Sequence, residues 1–121
     1  AIRSRDFAAA GSELEQGLGR FADLPRDDRD LLLAEPGVRR AVVDAHYNLA
    51  CVLSVRVAGR EDPLPPEAAA RLRDRAFEHL AVAIELGWSD VAQMTGDADL
   101  MPLHCDPRWS ACVESARRAG E

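Results

Sequence analysis

Three cysteines, Cys51, Cys105 and Cys112, and three histidines, His46, His79 and His104, are the residues best suited to chemistry in this 121-residue chain. His104 and Cys105 are adjacent, and Cys112 follows seven residues later. Their nitrogen and sulfur atoms suit zinc, but structural zinc sites draw on closely paired ligands, and a seven-residue gap across a helix start does not supply that spacing. A Cys–His nucleophile needs an orienting third group and an oxyanion site, and neither is identifiable beside His104–Cys105. His46, Cys51 and His79 meet only if the fold brings them together. Cys51 lies in an apolar stretch, where a small buried cysteine is ordinary. Asp27, Asp28 and Asp30 lack the glycine and the remaining ligands of a calcium loop. No glycine-rich loop follows a strand-like run, so nucleotide phosphates have no cradle. No catalytic activity, metal or other cofactor is expected. The competing reading, a small metal-dependent or Cys–His enzyme, rests on these histidines and cysteines alone.

Charge excludes further classes. The chain carries 15 basic and 21 acidic residues, a net charge of -6. Every basic residue is arginine. This balance lacks the basic footprint of a nucleic-acid binder and offers no polybasic patch to an anionic membrane. Arg71, Arg73 and Arg75 are interrupted by Asp74 and read as a solvated helix face. No apolar run is long enough to cross a bilayer, and the N-terminus opens no signal-peptide core. An odd number of cysteines suggests no extracellular disulfide framework, so the cytoplasm is the expected compartment. The chain opens without methionine, which suggests processing or excision from a longer protein.

The elements that would position these residues are helices. Alanine contributes 21 residues, against nine valines and two isoleucines, a balance that favours helix over sheet. Phe7, Leu14, Leu18 and Phe21 mark one face of a helix over 4–22, closed by Pro25. Asp27–Asp30 reads as a solvated stretch, and Leu31–Leu33 as one or two helical turns stopped by Pro36–Gly37. Val42, His46, Leu49, Ala50, Leu53 and Val57 stripe a helix over 38–58, broadened by Ala45, Val52 and Val55, as suits a helix packed on more than one side. Residues 59–66 form a proline- and charge-rich loop, expected to be exposed and mobile. Leu72, Ala76, Leu80, Ala83 and Ile84 face inward from a helix over 67–86, ended by Gly87. Ser89 or Asp90 caps a short helix around Val91–Met94. Leu100 and Leu103 anchor an irregular segment. Asp106 as cap and Pro107 at the first position start a final helix carrying Trp109, Cys112, Val113 and Ala116, and residues 117–121 should fray.

The segment Ala45-His46-Tyr47-Asn48-Leu49-Ala50-Cys51-Val52-Leu53 resembles the first helix of a tetratricopeptide repeat (TPR), with Ala50 as the small residue at the helix crossing. Ala76-Phe77-Glu78-His79-Leu80-Ala81-Val82-Ala83-Ile84-Glu85-Leu86-Gly87 resembles the second helix, with Ala76 and Ala83 as small contacts around Leu80. The connection departs from the pattern: 60–75 holds roughly fourteen residues more than a 34-residue repeat allows. Downstream, Gly87-Trp88-Ser89-Asp90 and Asp97-Ala98-Asp99-Leu100-Met101-Pro102-Leu103-His104-Cys105-Asp106-Pro107-Arg108-Trp109 resemble the extension that follows the final repeat in bacterial TPR proteins and in the repeat tails of some bacterial serine/threonine kinases. Ala98 stands where that extension usually has proline. No kinase motif accompanies it here.

The resemblance implies an all-α, antiparallel helical-repeat domain over 1–121. Its parts are an N-terminal helical segment at 4–37, suggestive of a degenerate preceding repeat, a helix pair at 38–87 with the inserted loop 59–66, and a capping extension at 88–121. One helix pair cannot bury its apolar face alone, so Leu100, Leu103 and Trp109 are expected to plug it while Asp106 and Pro107 set the last helix. Arg108 is placed to pair with Asp97 or Asp99, and Trp88 to pack the turn after the long helix. The implied function is noncatalytic binding of another protein or of the parent polypeptide, through a face carrying Tyr47 and Asn48. An amide such as Asn48 both donates and accepts toward a peptide backbone; an internal packing role is the alternative for Asn48, and His46 and Tyr47 share that ambiguity. A purely structural C-terminal cap of a larger protein is the alternative function.

Overall fold

The computed structural model describes residues 4–58 and 64–121, the first seven of these by backbone alone. The order is α1 (Ser4–Ala22), α2 (Arg26–Ala34), α3 (Pro36–Ala58), α4 (Pro66–Glu85), α5 (Val91–Gly96), a 3-10 helix (Ala98–Leu103) and α6 (Arg108–Ala119). The chain is all-helical, and no strand occurs among the described residues.

α3 is the centre. Six consecutive residues, Leu49 to Ser54, are buried, which no helix with one solvent face can achieve. α1, α2, α4 and the 3-10 helix all pack against it. The α3–α4 pairing is antiparallel. Arg39 donates from Nε to the Leu86 carbonyl at 2.8 Å, and seven residues forward on α3 and seven back on α4 His46 meets His79. Ala50, Ala76 and Ala83 are fully buried and let the helices approach, while Leu49, Leu53 and Leu80 fill the seam.

α1 also runs over α3. Gly11 is buried there, and a Cβ on it would stand 3.0 Å from Val52 Cγ1. Leu14 and Leu18 are partly buried against the same core. Phe7, expected on this face, is outside the described side chains.

Several boundaries differ from expectation for local reasons. Pro36 does more than stop α2: it opens α3, because a first-turn proline has no amide to satisfy. Asp27–Asp30 and the following leucines form one exposed helix, α2, with no buried residue and with Leu31 72% exposed. Residues 59–63 of the inserted loop lie outside the described residues; Leu64 packs against the core and Pro66 already belongs to α4. The stretch around Leu100 is a 3-10 helix rather than irregular, although Pro102 lies inside it. Residues 117–119, at the end expected to fray, belong to α6, and Gly120 donates to the Arg117 carbonyl at 3.2 Å and sits against Ser89.

The two α1 glycines at positions 11 and 19 make opposite demands. Gly19 is exposed with open space where a Cβ would go. Gly19→Ala should stabilise the fold by about 0.5–1 kcal/mol through helix propensity. Gly11→Ala should gain less or lose stability, because Val52 must shift. Urea midpoints of the two variants test this ordering.

Candidate functional site

The terminal extension is aimed by the end of α4. Gly87 has φ of +125°, its amide donates to Ile84 at 3.0 Å, and the Trp88 amide donates to Ala83 at 2.8 Å. This is a Schellman closure, which favours glycine at the left-handed position. It lays Trp88 on Tyr47, ring centroids 3.9 Å apart. Asp90 then caps α5 by accepting from the Gln93 amide at 3.0 Å.

Asp97 is the hub of the next turn. Oδ1 accepts from the Asp99 amide at 3.0 Å, capping the 3-10 helix. Oδ2 accepts from the Tyr47 hydroxyl at 2.8 Å and is approached by Cys51 Sγ at 3.8 Å. Burial pushes both the Tyr47 hydroxyl and the Cys51 thiol up from their ordinary ranges, and Asp97 adds to both shifts. Asp99 is also raised, by burial and then by Asp97. Cys51, Asp97 and Asp99 form the one cluster of three metal-capable side chains among the described residues, with ligand atoms within 4.8 Å of one another. Both Asp97 oxygens already accept hydrogen bonds within the chain, so the cluster joins helices as it stands.

This geometry relocates several expected site residues. Tyr47 is only 2% exposed, with its ring stacked and its hydroxyl engaged, so it presents nothing to a peptide. Asn48, one residue on, is turned about 100° around the helix and is exposed. Leu100 and Leu103 are fully buried, and Trp109 is 9% exposed with His104 stacked on it at 4.3 Å. Cys105 is exposed, and His104 Nε2 is buried without a partner. Burial pushes the half-buried Cys112 thiol up to about 11.

Asp106 and Pro107 act one step earlier than expected. α6 begins at Arg108, Pro107 is its cap residue, and Asp106 Oδ1 accepts from the Arg108 amide at 2.9 Å. Arg108 does not reach Asp97 or Asp99. Its guanidinium binds Asp106 and Asp74, at 2.8 Å each, and lies 4.5 Å over the Phe77 ring. Hydrogen bonding to Arg108 holds the Asp106 carboxyl down at about 2. Sequence neighbours made Asp97 and Asp99 the natural guess, but the turn of the 3-10 helix directs them to α3. The Arg71–Arg75 face is not simply solvated either: Arg73 approaches Asp106 at 4.0 Å, and Arg75 pairs with Glu15 of α1. That last ion pair and the contact between His46 and His79 across α3 and α4 were not visible in sequence. Each joins residues on different helices.

One open apolar surface lies between α1 and α3. An apolar groove of about 410 Å³ runs between Leu14, Leu18 and Phe21 on one side and Val38, Ala41 and Ala45 on the other. Asn48 continues the Ala41–Ala45 stripe at helical spacing. The groove therefore offers apolar walls and, one turn beyond, an exposed amide. Among the described residues, no helix is long and apolar enough to cross a membrane.

Trp109 carries much of the cap's burial. Trp109→Ala should cost about 3–5 kcal/mol, as for a large buried aromatic that leaves a cavity, measured by urea unfolding. A loss below about 1 kcal/mol would contradict its role as a plug. No known protein family, curated protein or solved structure matches this chain.

Proposed function

We propose that the chain is a noncatalytic, TPR-like helical domain that binds a segment of another protein, or of its own parent polypeptide, in the bacterial cytoplasm. The observation that carries the reading is the α1–α3 groove, whose apolar walls are continued by the exposed amide of Asn48. Apolar walls with few polar groups suit recognition of a short apolar segment, and the amide adds orientation. The binding face is moved from Tyr47 to Ala41, Ala45 and Asn48.

The two buried or half-buried thiols support a noncatalytic role. A nucleophilic cysteine needs a lowered pKa, whereas Cys51 and Cys112 are both raised by burial. All three cysteines are free thiols, in keeping with a reducing compartment. The net charge of -6 supports a protein rather than a nucleic-acid partner.

A second reading, a purely structural cap, is favoured by α1 lying across α3. The two differ in what the groove does. The wild-type chain serves as bait, and the captured polypeptide is then titrated against Asn48→Ala and Ala41→Glu, with folding checked by thermal melts. Binding in the groove predicts a loss of at least about tenfold for Ala41→Glu. For Asn48→Ala it predicts a weaker complex by about 1–3 kcal/mol, the cost of unpaired partner groups. Unchanged affinity in both folded variants would overturn the proposal and leave the cap.

A further inference from the structure

His46 on α3 and His79 on α4 face each other with Nδ1 atoms 2.9 Å apart, ring centroids 5.2 Å apart and planes tilted by 35°. A hydrogen bond at that distance requires one ring to donate from Nδ1–H and the other to accept at Nδ1. Two neutral rings of opposite tautomer satisfy it. The contact crosses the seam between the two principal helices, and both rings are half-buried.

The charged groups around the pair are few among the described residues. α4 supplies Arg75, one turn before His79, and its charge opposes a second positive charge there. α1 supplies Glu15, which favours a charged His79 but is itself paired with Arg75. Glu78 on α4 and the acidic residues of α2 are exposed. From the 3-10 helix, Asp97 turns to Tyr47 and Cys51, and Asp99 acts on Cys51. Among the described residues, no carboxylate is thus hydrogen-bonded to either imidazole to hold a proton on it.

We infer that the His46–His79 contact is a proton-operated latch, which fastens α3 to α4 while the pair is neutral and releases that seam on acidification. The first proton leaves one Nδ1–H donating to the other Nδ1, but places a charge in a half-buried site beside Arg75. The second sets two N–H groups head to head and abolishes the bond. The Asp97 hub lies on another side of α3 and does not include either ring. The latch does not depend on what occupies the groove.

Burial, and then His79, lowers His46 from 6.5 to about 4, and burial followed by Arg75 lowers His79 as well. The folded state therefore takes up protons less readily than the unfolded chain. The pair's contribution to stability is full above pH 6.5 and falls as the pH drops from 6.5 toward about 4.

Two measurements test the latch. The imidazole carbon resonances of wild-type protein should give midpoints below 6.5 for both His46 and His79. Urea unfolding at about pH 7 and about pH 4.5 is then compared with the His46→Asn/His79→Asn double variant, whose amides hydrogen-bond near the Nδ1 positions without titrating. The unfolding constant of the wild type should rise at least about tenfold more than that of the variant, since one unit of differential pKa is a factor of ten. Equal rises in the two proteins, or a midpoint at or above 6.5 for either ring, would overturn the inference. If the double variant does not fold, the wild-type midpoints decide alone.

Discussion

The hydrogen bond from the Tyr47 hydroxyl to Asp97, beneath the stacked Trp88 ring, is the contact on which the C-terminal half depends. It joins residues fifty positions apart, and it fixes three things at once. It satisfies a hydroxyl that α3 must bury. It orients a carboxyl that also caps the 3-10 helix. It thereby sets the path that delivers Leu100, Leu103 and Trp109 to the α3–α4 face. Without the extension that face would stand open, because α1 and α2 cover other sides of α3. A buried polar group is costly unless it is paired, so the hub supplies orientation as well as cohesion.

The same constraint explains where the chain's reactive side chains are spent. Cys51 is one of the helix residues around the hub, and burial there makes its thiol a poor nucleophile. His104 stacks on Trp109 rather than pairing with Cys105. His46 and His79 complete the α3–α4 seam. An apolar surface is left open on the far side of α3, between α1 and the Ala41–Ala45 stripe. Chemistry-bearing residues gather where helices meet, and the proposed binding surface lies where two helices leave a groove.

Features governed by neighbouring residues were legible in the sequence. Gly87 ends α4 because a left-handed closure favours glycine, and Asp106–Pro107 starts α6 because both residues suit a helix entry. The width of the α3 apolar surface announced a central helix. The short elements were less legible. Pro36 reads as a stop after the Leu31–Leu33 run, yet it is also the first residue of α3. Asp97, Asp106 and Arg108 show a different limit. Their local sequence marks them as turn and cap residues, but the choice of Asp74 over Asp99 as a partner for Arg108 depends on how α4 passes α6. The histidine pair is of the same kind: two residues 33 positions apart, with no local signal, meet because the helices run antiparallel. Tyr47 and Asn48 are adjacent yet separated by about 100° on the helix, which sends one into the core and the other to solvent.

The central claim is that the Tyr47–Asp97 bond fastens the terminal extension to α3. A double-mutant cycle on Tyr47→Phe and Asp97→Asn, read by urea unfolding at neutral pH, addresses it most directly. The account predicts that each single variant is destabilised and that the pair couples by at least about 1 kcal/mol, as expected for a buried hydrogen bond to a charged group. Additivity of the two substitutions within about 0.3 kcal/mol would mean that the residues act independently, and would contradict the claim.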